Sequence, residues 1–452
     1  MNKKAVKAIC ILLVTLIMST AFMACGSKEG SSAGSGETAS SPAASASAGN
    51  EEATAQAVDL SGTKVTFWNG FTASDGDVLR EIYDNFNKTN DKGIKVEMDI
   101  MPWANLFEKL ATSLATNTAP VMVLLGSDKM TEYIANEGIV ELADFWSASG
   151  LDQSIYAQSV IDCFKYQGKT YGIPMQYNTQ YLYWNKELFT KAGLDPEKPP
   201  KTFTELKEYA AKLTDNSKEQ YGIGIASTGS SCYGNITNFM WSNGGDWLTP
   251  DMTKAACNSK EAIEVLAMLQ GFSTSKQTPA GMAGADTDNL FLAGQLGMYI
   301  NGPWLVNGAK TNKLNFGIGA VPGSESGKLQ VPGGGCAYMV TSSANEKEKL
   351  AAYECMKYWL SKDILKEWSI RNGFPAFSSE VLSDPDIQKD PILNALSPLA
   401  QYGRLPFPGM PEANQISGDY LDPLYEQLMY GKITPEECAK KMAEGIDTVL
   451  AK

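Results

Sequence analysis

Between residues 64 and 125 the apolar pattern switches repeatedly between a two-residue and a 3.6-residue period, and that switching restricts the kind of sheet this chain can build. Lys64 to Trp68 (KVTFW) reads as a strand. Asp77 to Asn87 sets Val78, Leu79, Ile82, Tyr83 and Phe86 on one helical face. Ile94, Val96, Met98 and Ile100 alternate as a half-buried strand, and Leu106, Phe107, Leu110 and Leu114 return to helical spacing. Val121 to Leu125 is a continuous apolar run, as in a strand buried on both faces. This order predicts a parallel sheet covered by helices, with any ligand crevice at the carboxyl ends of its strands. Two loops stand there, Asn69 to Asp75 and Gly126 to Lys129.

The stretch Tyr171 to Phe189 (YGIPMQYNTQYLYWNKELF) reads as a passage between two bodies. Pro174 lacks an N–H and biases Ile173 toward extended backbone, so it closes one element. Gln176, Tyr177 and Asn178 then place amide and aromatic groups on a crossing segment, and Tyr181 to Trp184 is a buried strand followed by a short helix stopped at Gly193. Beyond it the same grammar resumes. Thr202 and Glu205 have the spacing of a capping box, Tyr221 to Ile225 and Gly297 to Ile300 read as strands, and Asn301-Gly302-Pro303-Trp304 opens a helix. Phe316 to Val321 and Ala337 to Thr341 are further strands, helices cover Glu346 to Leu360 and Lys362 to Ile370, and Thr434 with Glu437 marks a last helix.

A length of 452 residues exceeds one ordinary core and predicts two lobes. The net charge is −13, and Lys3, Lys4 and Lys7 lie in a basic leader, so the remainder is more acidic still. An acidic body argues against nucleic acid as a partner. Residues 1–24 combine that basic start, an apolar run from Ala8 to Met18 too short to span a bilayer, and small residues up to Ala24, the pattern of a secretory signal. The run Phe22-Met23-Ala24-Cys25-Gly26 resembles the lipobox of bacterial lipoproteins, which implies a mature start at a lipidated, palmitate-bearing Cys25. Residues 25–58 are almost wholly Ser, Ala, Gly, Glu and Thr, a flexible tether. Lipid and tether together predict a protein held at the extracytoplasmic face of the cell membrane by its anchor alone.

The chain contains no histidine, which removes Ser-His-Asp and Cys-His catalysis and His-ligated zinc. Glycoside hydrolysis by two carboxylates survives that test and is the enzymatic alternative. Asp286-Thr-Asp288-Asn lacks the glycine and distal glutamate of a calcium loop and reads as a helix cap. Pro332-Gly-Gly-Gly335 lacks the Lys-Ser/Thr of a phosphate loop and is read as offering backbone amides to a cleft. No metal or cofactor is expected. Six cysteines remain in the body, Cys163, Cys232, Cys257, Cys336, Cys355 and Cys438, with no CxxC pair and no assignable disulfide.

FWNGFTASDG, PVMVLLGSDKM, YGIPMQYNTQYLYWNKELFTKAG, GQLGMYINGPWLV with NFGIGAVPG, and RNGFPA occur in that order. This set resembles the extracellular solute-binding proteins of bacterial ABC importers, in particular the family 1 group that includes maltose-binding and glycerol-3-phosphate-binding proteins. The resemblance spans residues 61–452. It implies an α/β, two-lobe periplasmic-binding-protein fold of type II kind, each lobe a mostly parallel sheet flanked by helices. It places the first lobe at 61–173 plus 317–374 and the second at 174–316 plus 375–452, with a third crossing near Phe374 to Phe377. It also implies a monomer that delivers its ligand to a permease driven by a separately encoded ATPase, and no catalysis.

Carried over position by position, the resemblance assigns ligand contacts to Asn69, Phe71 and Thr72 in the first loop and to Ser127, Asp128 and Lys129 in the second. Leu125 stands where relatives often carry an aromatic, so the stacking arrangement differs. Gln176, Tyr177 and Asn178 lie on the crossing, and Gly302 and Trp304 form the turn whose indole floors a pyranose in the family. Trp241 is a further candidate ring, and Arg371 either contacts a ligand anion or pairs with an acid. Asp128 has an alternative role as a helix cap. Flat rings with amide and carboxylate partners suit a sugar, whose ring has an apolar face and a hydroxyl rim. A polyol or a glycerol phosphate is the alternative ligand. Trp68, Trp184, Trp359 and Trp368 fit core positions.

Overall fold

The computed structural model describes residues 58–229 and 232–451; the leader, Cys25 and the tether as far as residue 57 lie outside them. In chain order the strands are β1 Lys64–Asn69, β2 Lys95–Ile100, β3 Met122–Gly126, β4 Lys165–Tyr166, β5 Lys169–Thr170, β6 Ile173–Thr179, β7 Tyr181–Asn185, β8 Tyr221–Gly224, β9 Leu296–Asn301, β10 Phe316–Gly319, β11 Val331–Val340 and β12 Gly403–Arg404. One sheet runs β12-β11-β3-β1-β2 with β6 also on β11; a second runs β10-β7-β9-β8; β4 and β5 form a small hairpin.

The early period switches become structure as expected. β1 pairs in parallel with both β2 and β3, joined through helices Ser74–Thr89 and Trp103–Ala115. The second sheet departs from the expectation of a mostly parallel lobe, because β7 pairs antiparallel with both β9 and β10 and only β8 runs parallel to β9. Both faces of β7 are covered. Leu182 and Trp184 join one core while Tyr181 and Tyr183 join another, as the alternation of strand side chains requires. Thr434 and Glu437 form a complete capping box, whereas Glu205 turns its carboxylate to the Lys201 N–H, so Thr202 has only its own half of that pair. The six body cysteines are free thiols, and no helix among the described residues is long and apolar enough to cross a membrane.

The crossings fall later than residues 173, 317 and 374. β6 stays in the first sheet through Thr179, so the chain changes sheet at Gln180. β10 still belongs to the second sheet, and the chain rejoins the first only with β11. Phe374 and Phe377 are buried in the first core, and the Phe377 carbonyl accepts from Ala157 N–H at 2.8 Å. Leu393 still packs in that core, Leu396 packs on the second sheet and β12 pairs with β11 again, so the passage out of the first core falls after Phe377.

Proline shapes the first crossing. Ala337 pairs with Pro174 and Cys336 with Gln176, which leaves Met175 as an extra residue in a bulge. The freed Met175 carbonyl accepts from Trp359 Nε1 at 3.0 Å. The triglycine is not an amide-lined loop but part of β11, with Gly333, Gly334 and Gly335 paired to Thr179, Asn178 and Tyr177. Its approach is too close for a side chain at Gly335, where a Cβ would strike the Gln176 carbonyl.

Candidate ligand cleft

The loop after β1 is held from below. Asn69 is fully buried; its Oδ1 accepts from Phe71 N–H at 3.1 Å, and its Nδ2 has no partner. Phe71 is buried between Trp368, stacked at 6.0 Å, and the edge of Trp103 at 5.7 Å. Thr72 is exposed. At the end of the loop Asp75 is buried, and its Oδ1 accepts from Gly76 N–H at 2.9 Å. Burial pushes the Asp75 carboxyl up to about 7, with the charge of Asp288 in the other lobe adding to the effect.

In the loop after β3, Ser127 is pinned to β11: its N–H donates to Gly335 O at 2.9 Å and its Oγ accepts from Gly335 N–H at 3.4 Å. Asp128 is half-buried and does not cap the following helix Met130–Ala135, which has no side-chain cap. Burial, with the charge of Asp128 added to it, raises the Tyr233 hydroxyl of the second lobe and the Cys336 thiol of β11. Lys129 is buried and donates across the lobes to Ser417 Oγ at 3.3 Å.

On the crossing, Gln176 is buried and its Oε1 accepts from Trp368 Nε1 at 3.1 Å, so that oxygen is already engaged. Tyr177 and Asn178 are half-buried. From the second lobe, Trp304 is half-buried just after Gly302 and packs against the first lobe's core. A Cβ on Gly302 would run into the Trp304 ring, so glycine lets the indole lie flat on the backbone. The Gly302 carbonyl accepts from Tyr183 OH at 2.7 Å.

Two predicted residues stand apart. Trp241 is buried in the second core, with Nε1 donating to Asp246 Oδ1 at 3.0 Å and its ring covered by the Arg404 guanidinium at 4.7 Å. Arg371 pairs with Glu81 at 2.8 Å and Glu367 at 2.9 Å, the acid-pairing alternative raised by its sequence position.

Asp288, read from sequence as part of a capping motif, instead faces the seam between lobes. Its Oδ1 accepts from Tyr299 OH at 2.8 Å and Asn301 Nδ2 at 2.6 Å. Burial raises its carboxyl to about 6 against the pull of those two bonds. Asp75 and Asp288, with Tyr299 and Asn301 bonded to the latter, are thus polar groups that the motifs did not single out; Asn301, directly before Gly-Pro-Trp, carried the only signal. Beside them Asn307 Nδ2 donates across to Ser74 O at 3.2 Å, and Lys310 Nζ to Ile370 O at 3.1 Å.

The chain is similar to proteins already known. A galactooligosaccharide-binding protein of Bacillus subtilis is 26% identical over 450 residues, covering 98% of this chain and 97% of that protein. An ABC substrate-binding protein from Listeria monocytogenes, solved in complex with cycloalternan, superposes with a TM-score of 0.75 at 26% identity, over 86% of this chain and 99% of that one. An ABC transporter solute-binding protein from Thermotoga lettingae bound with α-D-tagatose has a TM-score of 0.78 at 23% identity, over 86% and 100%. The model of the bacterial extracellular solute-binding proteins matches residues 81–395. That stretch takes in strands of both sheets, and the chain belongs to the bacterial extracellular solute-binding proteins.

Proposed function

We propose that this chain is the substrate-binding component of an ABC importer and takes a neutral sugar between its lobes. The observation that carries the reading is Trp304: a half-buried indole lying flat on Gly302, brought by the second lobe against the first. Such a ring suits the apolar face of a sugar, and Asp75, Asp128, Asn178 and Asp288 supply acceptors and donors for its hydroxyl rim. Thr72, Ser127 and Tyr177 extend the same surface, while Asn69, Phe71 and Gln176 support it from behind. Relatives named for galactooligosaccharide and cycloalternan binding support a carbohydrate cargo.

The charge of the seam favours a neutral ligand over a phosphorylated one. Arg371 is satisfied by Glu81 and Glu367, and Lys129 is directed to Ser417. An entering anion would instead meet the carboxylates of Asp128 and Asp288, and that of Asp75 above about pH 7. Binding works by population shift: a ligand that touches both lobes favours the closed form, which a permease on a separate chain then recognises. The protein acts as a monomer anchored through a lipid on Cys25, without catalysis.

The test is a thermal-shift screen of neutral oligosaccharides, polyols, sugar phosphates and glycerol 3-phosphate. A ligand at one hundred times its dissociation constant adds about 2.7 kcal/mol, a visible shift. A neutral sugar that shifts the melt and is recovered intact supports the reading. A shift confined to phosphorylated compounds overturns the neutral assignment, and cleaved product moves the function to glycoside hydrolysis.

A further inference from the structure

We propose that Asn414 and Ser417 of the second lobe form, with Lys129 and Glu132 of the first, a clasp that holds the lobes together without any ligand. Lys129 and Glu132 flank the start of helix Met130–Ala135, whose Met130, Tyr133 and Ile134 belong to the first core. Asn414 lies in the short helix Ala413–Ile416, and Ser417 opens a wide π-type turn, Ser417–Leu421; Ala413, Ile416 and Leu421 are anchored in the second core.

The bonds interlock. Asn414 Nδ2 donates to Glu132 Oε2 at 2.6 Å and to Lys129 O at 3.3 Å. Lys129 Nζ donates to Ser417 Oγ at 3.3 Å, and that hydroxyl donates in turn to Asn414 O at 3.1 Å. Lys129 and Ser417 are both buried by the meeting of the lobes, and the Asn414 to Glu132 bond is charge-assisted and short. Every interlobe bond in this set joins groups of the chain itself, so none waits for cargo, and hinge opening breaks them together. Asn307 and Lys310 also cross the seam, but their hydrogen bonds reach the backbone carbonyls of Ser74 and Ile370 rather than side chains of the set.

Asn414 and Ser417 are therefore positioning residues, indifferent to what the cleft binds. The clasp raises the share of the closed form in the unliganded protein and so lowers the conformational cost of binding for every ligand alike. The proposal needs only two hinged lobes, so it stands or falls apart from the choice of a sugar as cargo.

The test is the distribution of interlobe distances in the unliganded protein, read by electron spin resonance between labels on one exposed site per lobe and by small-angle scattering. The wild-type protein is expected to show a compact, closed population, and Asn414→Ala to reduce its ratio to the open form about tenfold, the scale of a hydrogen bond to a charged group. Ser417→Ala should give a smaller loss in the same direction. Glu132→Gln, on the other lobe, removes the charge while keeping the shape, and decides the matter if Asn414→Ala fails to fold. An unliganded wild-type protein with no closed population, or folded Asn414→Ala and Glu132→Gln variants with an unchanged one, overturns the clasp.

Discussion

The indole nitrogen of Trp368 donates to the side-chain oxygen of Gln176 at 3.1 Å, tying helix Lys362–Asn372 to the strand that leads into the first crossing. Both residues are buried, at 2% and 3% exposure. Trp368→Phe keeps the ring's bulk and removes the donor, which leaves a buried amide oxygen unpaired. The expected loss is about 1–3 kcal/mol, read from the denaturant midpoint. An unchanged midpoint would show that the bond contributes nothing there.

Trp304 and Trp241 should separate binding from folding. Trp304→Ala is expected to weaken affinity for a neutral oligosaccharide at least about tenfold by calorimetry, because a stacked ring and its buried area are lost, with the melting temperature little changed. Trp241→Ala removes a fully buried core side chain and is expected to cost about 3–5 kcal/mol of stability. Equal losses of stability in the two variants would contradict the assignment of Trp304 to the cleft.

The contribution of Asp75 and Asp288 to stability should fall as pH rises from 3.8 toward 7. Burial lifts Asp75 from 3.8 to about 7 and Asp288 to about 6. At these two sites the folded protein therefore keeps protons that the unfolded chain has released, and their contribution to stability declines with pH across that window. A series of melting temperatures should show the slope in the wild-type protein, flattened in Asp288→Asn and flattened further when Asp75→Asn is added. An identical slope in the double variant would refute the assignment.

Gly335→Ala tests the close approach of β11 to β6. The new methyl would strike the Gln176 backbone carbonyl, which cannot rotate away as a side chain would. The strand must shift, at an expected cost of about 1–3 kcal/mol. Since the shift falls where β6 leads out of the first sheet, ligand affinity should drop as well; a variant with wild-type melting and affinity would mean the strands part freely.

The period switches before Leu125 made the first sheet legible, because each period comes from local geometry. The crossings were not. Phe374 and Phe377 look like a hinge segment in sequence, yet both are core residues, since an aromatic beside glycine and proline reads the same in either setting. Trp241 misleads for a similar reason: spacing does not tell a ring facing a cleft from one under Arg404. Asp288 was hidden because its partners, Tyr299 and Asn301, come from the adjacent strand β9 and meet it only in the folded lobe. The turn before Trp304 was legible because Gly302 and Pro303 mark it.

The late position of β11 has a consequence for the order of assembly. All four strands of the second sheet, ending with Gly319, leave the ribosome before β11 does. The first sheet, whose β1 is made earliest, lacks its central bridge between β3 and β6 until then. The sheet that starts first is finished last, and its β3 edge stays open through most of synthesis, a long-range closure that slows folding and leaves an unpaired edge exposed to other chains.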